Sequence, residues 1–409
     1  MNFDYPTEIV VEGSIRIVVP KIGVYGIKGY GELSVKSPVF YNPKMSLNRD
    51  LAIIVLLAHH KCVNKKLRVC EPMTGTGVRG LRFATLSEAV NEVVLGDLNL
   101  QAIKLTNYNL TRLSLSTRTS VHHMDANTLL SLQSAPHKRF DYIDIDPFGS
   151  PTPFIDSAIR AIRNGGVLAL TATDLGPLCG VHPNACLRKY SSKPIKTEYS
   201  HELALRILIG TMVSIAARYG YGVSILFSYY ADHYVRVYAK LEKSLDKADK
   251  SLSKIGFIRH CFRCMYRGHN NELFKIKDLK CDSCGGRTSI SGPLWLGEMS
   301  DREFCADMID QIDVEKLSQK KLAVKLMWNI IKEAKMPPAY YRIDKLCDKL
   351  GIPTPSQRIV MKNLIMQGFN VTRTHFSSNG IKTNAPLEIV KRSILESSKA
   401  SYHLIKNIE

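Results

Sequence analysis

LRVCEPMTGTGVRG, residues Leu67–Gly80, is the stretch that decides the fold. Leu67–Cys70 reads as a short strand, and the pattern turns helical over Gly77–Thr85. Between them the glycines permit a tight turn that side-chain-bearing residues resist. Gly75-Thr76-Gly77-Val78-Arg79-Gly80 satisfies the GxGxxG fingerprint. Asp97 follows about 20 residues later, at the end of the next expected strand, where a carboxylate meets ribose hydroxyls. Strand, loop, helix and acid in register point to a bound nucleotide-like ligand.

On the C-terminal side, strands are expected at Glu92–Leu95, Thr119–His123, Tyr142–Ile145, Val167–Thr171 and Val223–Tyr230. Helices are expected at Leu100–Leu113, Thr152–Ile162 and Ser200–Arg218. This alternation predicts a parallel, doubly wound sheet covered by helices. On the N-terminal side, Ile9 and Val11, then Ile15, Ile17 and Val19, alternate with polar residues, so residues 1–36 read as a β-extension. The turn-rich Ser37–Asp50 then leads into an apolar helix from Leu51 to about His59.

Beyond Lys240 the composition shifts to a Lys/Asp/Ser stretch, then paired cysteines, then helices from about Asp301. Tyr341–Leu350, Ser356–Gln367 and a hairpin over Gly368–Thr383, turning at Asn379-Gly380, resemble a winged helix. The expected division is an α/β domain over 1–240 and an α+β domain over 241–409.

The 409 residues carry 56 Lys plus Arg against 37 Asp plus Glu, a net charge of +19. Residues 240–409 hold 30 basic and 19 acidic side chains, hence +11 of that total. An excess of this sign favours a polyanionic partner. The longest apolar runs, Leu51–Ala58 and Gly166–Ala172, fall far short of the roughly 18 residues of a membrane span, and Met1–Thr7 has no signal-peptide character. Ten cysteines, four of them in Cys-x2-Cys pairs, fit metal ligation in a reducing cytoplasm better than a disulfide framework. A monomer with no obligate protein partner is expected.

Two details favour S-adenosylmethionine over a dinucleotide. Glu71, four residues before the first glycine, would sit near the ammonium of a methionine moiety but would repel a pyrophosphate. His123-Met124-Asp125-Ala126 ends the third strand, where a carboxylate can accept from an adenine amino group; Asp125 could equally cap the helix that follows.

Asp146-Pro147-Phe148-Gly149 follows the strand Tyr142–Ile145, at the sheet edge where ligands bind in this architecture. Methylating an exocyclic amine on a base requires acceptors that hold the amino hydrogens and turn the lone pair toward the methyl group. The Asp146 carboxylate and the Pro147 carbonyl suit that task, and Phe148 suits stacking on an extruded base. The competing reading is a simple strand-ending turn.

Cys261-x2-Cys264 and Cys281-x2-Cys284 have the spacing of a tetrahedral, structural Zn(II) site. Arg259, Arg263, Arg267, Lys275, Lys277, Lys280 and Arg287 surround it. Cys179-x2-His182-x3-Cys186 offers three ligands and no obvious fourth, so no metal is assigned there. Trp295 and Trp328 read as packing residues.

Several long stretches resemble the archaeal tRNA (guanine-26-N2)-dimethyltransferases: SPVFYNPKMSLNRD (37–50), TGVRGLRFA (76–84), DIDPFGSP (144–151), TATDLGPLCGVHPNACLRKY (171–190) and TRTHFSSNGIKTNAP (372–386). The resemblance implies a Rossmann-like S-adenosylmethionine-dependent methyltransferase fold, with tRNA as the partner. It also implies transfer of two methyl groups to N2 of guanine 26. Gly75 and Gly77 of the fingerprint are expected to line the cofactor; carried over by position, Arg49 and Arg82 would contact it too. Asp97 would take the ribose, and Asp125 with Ala126 the adenine. Asp146 and Phe148 would be catalytic, with Phe40 the other wall of the guanine slot. Arg373, His375 and Lys382 of the tail hairpin are candidate phosphate contacts. Alternatives are a guanine-N2 methylase acting at another tRNA position, a non-catalytic RNA-binding protein, and a nicotinamide-dependent dehydrogenase.

Overall fold

The computed structural model describes residues 3–25, 37–272 and 279–406, with side chains through residue 399. Residues 26–36 of the expected β-extension, and Lys275 and Lys277, lie outside the described residues. At the N-terminus β1 (Thr7–Glu12) and β2 (Ile15–Pro20) form an antiparallel hairpin.

A seven-stranded sheet follows, from β3 (Leu67–Glu71), β4 (Val90–Asp97), β5 (Thr119–His123), β6 (Phe140–Ile145), β7 (Ile162–Ala172), β8 (Tyr221–Ala231) and β9 (Tyr234–Lys243). The order is β5-β4-β3-β6-β7-β9-β8. The expected all-parallel sheet needs one correction: β9 runs antiparallel to both its neighbours. A hairpin creates it. Ala231 faces Tyr234, and Asp232 takes a left-handed backbone (φ 47°) in the turn. Glycine is the usual turn signal, so an Asp-His turn hides the reversal.

The sheet edge that matters is where β3 through β7 end. Glu71 is level with Leu95, and Asp97 with His123, so acids from successive strands gather along one rim. The helix Ser46–Val63 and the short helix Val78–Thr85 cover one face; Thr152–Ala161 and Ser200–Arg218 cover the other. Ser46–Val63 is buried almost all round, polar Asn48, Arg49 and Asp50 included, as a helix that is itself core must be. Each Leu or Ile it buries stabilises the fold by about 2 kcal/mol. Ser200–Arg218 is long and apolar enough to match a membrane span, yet 67% of it is buried inside the protein, so its apolar faces already have partners.

Lys240 lies inside β9. Phe304, Met308, Met327 and Ile330 share a core with the first half of the chain, and Ile258, Leu294, Trp295, Tyr340 and Phe376 share the core on the other face. A third cluster, built around Leu346, Val360, Leu364 and Val390, belongs to the tail.

The ribbon β10 (Ile255–His260), β11 (Arg267–Asn270) and β12 (Ser289–Trp295) holds the cysteine knuckles. The tail pairs β13 (Tyr341–Arg342), β14 (Val371–Thr374) and β15 (Ser377–Thr383) beside helices Ile343–Leu350 and Gln357–Met366, the layout of a winged helix. Its hairpin turns at His375-Phe376, since Thr374 faces Ser377; Asn379-Gly380 lies within β15. Gly380 is there for close approach, because a Cβ would stand 2.4 Å from the Thr374 methyl.

Candidate active site

The glycine loop leaves β3 with Gly75 at φ 56° and Gly77 at φ 80°, backbone that side chains resist. Its shape is held by two carboxylates. Glu71 accepts hydrogen bonds from Thr74 Oγ1 (3.0 Å) and from the Gly80 backbone N–H (2.9 Å) in the first turn of the following helix. Asp97 accepts from the Gly75 N–H (2.8 Å) and from the Asn99 N–H (2.8 Å). Burial pushes the Glu71 carboxyl up to about 8, partly offset by Arg79. Glu71 is thus built into the loop's frame, with Asp97 more open at the strand end.

Phe40 and its neighbours roof this loop. A Cβ on Gly75 would lie 3.3 Å from the Phe40 carbonyl oxygen, and Asn99 Nδ2 donates to the Pro38 carbonyl (2.8 Å). Asp125 Oδ1 caps the helix Ala126–Leu132 by accepting from the Thr128 N–H (3.0 Å), so the capping role is realised; Asp125 is exposed beside buried Ala126.

The decisive cluster lies at the end of β6. Asp144 and Asp146, two residues apart, point to the same side of the strand. Arg79 bridges them, reaching Asp144 at 2.5 Å and pairing with Asp146, while its Nη2 also donates to Asn48 Oδ1 (2.8 Å). Arg236 from the reversed strand β9 pairs with Asp144 (2.5 Å) and donates to Thr171 Oγ1 (2.5 Å). Both arginines and Asp144 are fully buried. The Asp146 side chain is 18% exposed and is the member of the group that faces outward. Burial opposes its ionisation, but Arg79 and Arg236 outweigh that and hold its carboxyl below the usual range. An acceptor that stays ionised results. Asn48 Nδ2, buried in the same group, has no hydrogen-bond partner among the described residues and remains available as a donor.

Beside Asp146, Pro147 is buried and Phe148 is 77% exposed. The Phe148 ring meets Phe40 at 4.7 Å between centroids, edge to face at 83°. Two aromatic rings from sequence positions 40 and 148 meet outside any core. Gly149 anchors the loop, donating to Thr173 Oγ1 (2.8 Å) and accepting from the Thr173 N–H (2.9 Å).

Arg49 and Arg82 sit behind the loop. Arg49 forks onto Glu12 of β1, with one contact at 2.7 Å, and donates to the Asn42 carbonyl (3.0 Å). Arg82 pairs with Asp50 (2.8 Å) and approaches Glu12 (3.6 Å). Both are buried, so Arg82 is not a solvated helix-face side chain. Glu12, Asp144, Arg79, Arg236 and Asn48 were missed in the sequence. Only the Asp-x-Asp alternation on a buried strand signalled that a cation must be near.

The four knuckle cysteines bring their sulfurs within 4.8 Å of one another, with Cys261–Cys284 at 3.6 Å and Cys264–Cys281 at 3.5 Å. Four Zn–S bonds of about 2.3 Å in a tetrahedron separate sulfurs by about 3.8 Å, so the cluster fits zinc. Cys179 instead donates to the Ser200 carbonyl (3.6 Å), and Cys186 is buried.

Three expectations are corrected. Lys382 is buried and pairs with Glu202 (2.9 Å). The His375 side chain is buried against Glu333 (2.9 Å), which leaves Arg373 as the exposed member of the three phosphate candidates. Trp295 is core, but Trp328 is 49% exposed, because it lies on the outer side of its helix.

Residues 13–395 match the family of N2,N2-dimethylguanosine tRNA methyltransferases. The chain belongs to that family. A tRNA (guanine(26)-N(2))-dimethyltransferase of Methanothermobacter thermautotrophicus is 40% identical over 374 residues, covering 91% of this chain and 95% of its own. A tRNA (guanine(26)-N(2)/guanine(27)-N(2))-dimethyltransferase of Aquifex aeolicus is 35% identical, covering 95% and 96%. The solved structure of Trm1 from Pyrococcus horikoshii with S-adenosyl-L-methionine is similar at a TM-score of 0.81 and 34% identity, over 95% of this chain and 99% of that one. In this member of the family, then, the glycine loop and the Asp-Pro-Phe-Gly loop share one rim of the sheet.

Proposed function

We propose that the chain transfers two methyl groups in succession from S-adenosylmethionine to the exocyclic N2 of guanine 26 in tRNA. The observation that carries this is an ionised, Arg79-anchored Asp146 beside the exposed Phe40–Phe148 pair, on the rim that also holds the glycine loop.

The residues present suit the methyl donor. Gly75 and Gly77 shape the loop, Asp97 and Asp125 offer acceptors at neighbouring strand ends with Ala126 next to Asp125, and Asn48 Nδ2 is a buried donor without a partner among the described residues. Glu71, Arg49 and Arg82 act from behind, by fixing the loop and the Phe40 segment. When bound, S-adenosylmethionine supplies an electrophilic methyl group on a sulfonium.

Asp146 and the Pro147 carbonyl accept the hydrogens of the target amine and aim its lone pair. Phe40 and Phe148 take the extruded base between them, which requires the rings to part from 4.7 Å to about twice a stacking distance. Arg79 keeps Asp146 charged and in place. Asp146 is a weak base because its carboxyl is held low, so its work is orientation, and the alkylated amine, acidic in its cationic form, loses its proton readily.

Zn(II) on Cys261, Cys264, Cys281 and Cys284 would be structural, since four thiolates leave no open position. Ten unpaired cysteines suit a reducing compartment such as the cytoplasm. Residues 1–240 carry the proposed methyl-transfer site, and 241–409 the zinc ribbon and winged tail. The test is transfer of tritiated methyl from S-adenosylmethionine to a tRNA transcript. Label should enter a transcript with guanine 26 and be lost with adenine there; equal labelling of both would reject the assignment.

A further inference from the structure

The helix Lys320–Glu333 has two unlike faces. Ala323, Met327 and Ile330 pack into the core. On the opposite side Lys321, Lys325, Trp328 and Lys332 recur at intervals of four, three and four, and all are exposed. At 100° per residue they fall within an arc of about 60° and span about 17 Å along the axis. Exposed Lys335 extends the line just past the helix end. None of these four lysines has an ion-pair partner among the described residues, whereas neighbouring Lys320 pairs with Asp313. The helix's one acid, Glu333, is buried on the far side. The stripe is therefore a line of uncompensated positive charge with a half-exposed indole in its middle.

Both ends of this helix are fastened to elements of the catalytic half of the chain. At its start the Gln319 N–H donates to Asp50 Oδ2 (2.6 Å), two residues from the Asn48 that touches Arg79. At its end Glu333 accepts from Thr374 Oγ1 (2.8 Å) and pairs with His375, whose Nε2 accepts from the Tyr230 N–H (3.2 Å). Tyr230 faces Val235, which faces Ala172 at the rim end of β7. The helix is held at both ends, with its charged side turned to solvent.

We infer that Lys321, Lys325, Lys332 and Lys335 with Trp328 form a tRNA-docking stripe. The lysines would contact backbone phosphates and the indole would stack on a base unpaired near the target. Charge complementarity selects the occupant: a polyanion satisfies the four ammonium groups, and a stacked base covers an indole that water otherwise wets. The inference rests on tRNA being the substrate.

The test uses the full-length chain. Replacing the four lysines together (K321A/K325A/K332A/K335A) should weaken tRNA binding about tenfold or more near 0.15 M salt and lower the salt slope of log K by about three, at about 0.7–0.9 per lost phosphate contact. S-adenosylmethionine affinity and the rate at saturating tRNA should stay unchanged. The chain has two tryptophans, and Trp295 is buried, so acrylamide quenching reports Trp328. Saturating tRNA should protect that fluorescence, and Trp328→Phe should abolish the protected signal. Unchanged affinity, slope and quenching would overturn the stripe while wild-type methyl transfer persists. A Trp328 already shielded without RNA, in a dimer that Trp328→Ala dissociates, would assign the face to a second copy and overturn it as well. Failure of the underlying substrate reading would look different: the wild-type chain would transfer no label to tRNA, and both proposals would fall.

Discussion

Truncating Phe148 separates recognition from folding. Phe148 is 77% exposed, so about a quarter of a roughly 200 Å² side chain is buried, with Phe40 as its ring partner. At about 25 cal/mol per Å², Phe148→Ala costs the fold at most about 1 kcal/mol. The same ring stacked on an extruded base contributes about 1–3 kcal/mol, and removing it should lower kcat/KM for tRNA roughly 5- to 150-fold. The assay pairs initial-rate methyl transfer with thermal unfolding and with equilibrium binding of S-adenosylmethionine. The expected outcome is a large loss in kcat/KM, an almost unmoved Tm and unchanged donor affinity, with Phe148→Tyr retaining most activity. Unaltered kcat/KM would refute the base-stacking role. A loss that tracks a fall in Tm or in donor affinity would refute it equally, because the ring would then be a structural prop.

Further outcomes follow from the buried charges and thiolates. Arg79→Lys keeps one cation but cannot fork onto Asp144, Asp146 and Asn48 at once; kcat should fall tenfold or more, and Arg79→Met should destabilise the fold by about 3–5 kcal/mol in chemical denaturation. Lys382 and Arg206 outweigh burial and hold the Glu202 carboxyl at about 2, below its ordinary value near 4.5. Its contribution is therefore complete above about 4.5 and is lost as pH falls through 2, and Glu202→Gln should flatten the acid limb of a stability-versus-pH curve over that window. Metal analysis should find one zinc per chain, and Cys281→Ser or a strong chelator should lower the thermal stability of the 255–295 ribbon before it alters donor binding.

Much of the rim was legible in the sequence because it is written locally. The glycine pair, the acid at the end of β4 and Asp-Pro-Phe after β6 each declare a backbone geometry within a few residues. What stayed hidden depends on long-range partners. A buried arginine reads as a surface one until its carboxylates are located, and those of Arg79, Arg82 and Arg236 lie on other strands and helices. The reversal of β9 was masked by an Asp232-His233 turn without glycine, and Asn379-Gly380, a strong turn signal, serves instead to let Thr374 approach. Lys382 and His375 look like phosphate contacts by residue type, but Glu202 and Glu333 claim them. Trp328 sits outside because Met327 and Ile330 fill the inner side of its helix.

Single-turnover methyl transfer by Asp146→Asn, with both substrates saturating and the product nucleoside identified by mass, bears most directly on the proposed chemistry. The amide keeps the size of the carboxylate but gives up its charge and half its accepting capacity. The chemical step should slow by about 10²–10³-fold while binding of tRNA and of S-adenosylmethionine holds, and the wild-type product should be N2,N2-dimethylguanosine at position 26. An Asp146→Asn chain that methylates at the wild-type rate would contradict the account, as would label found on another atom of the base.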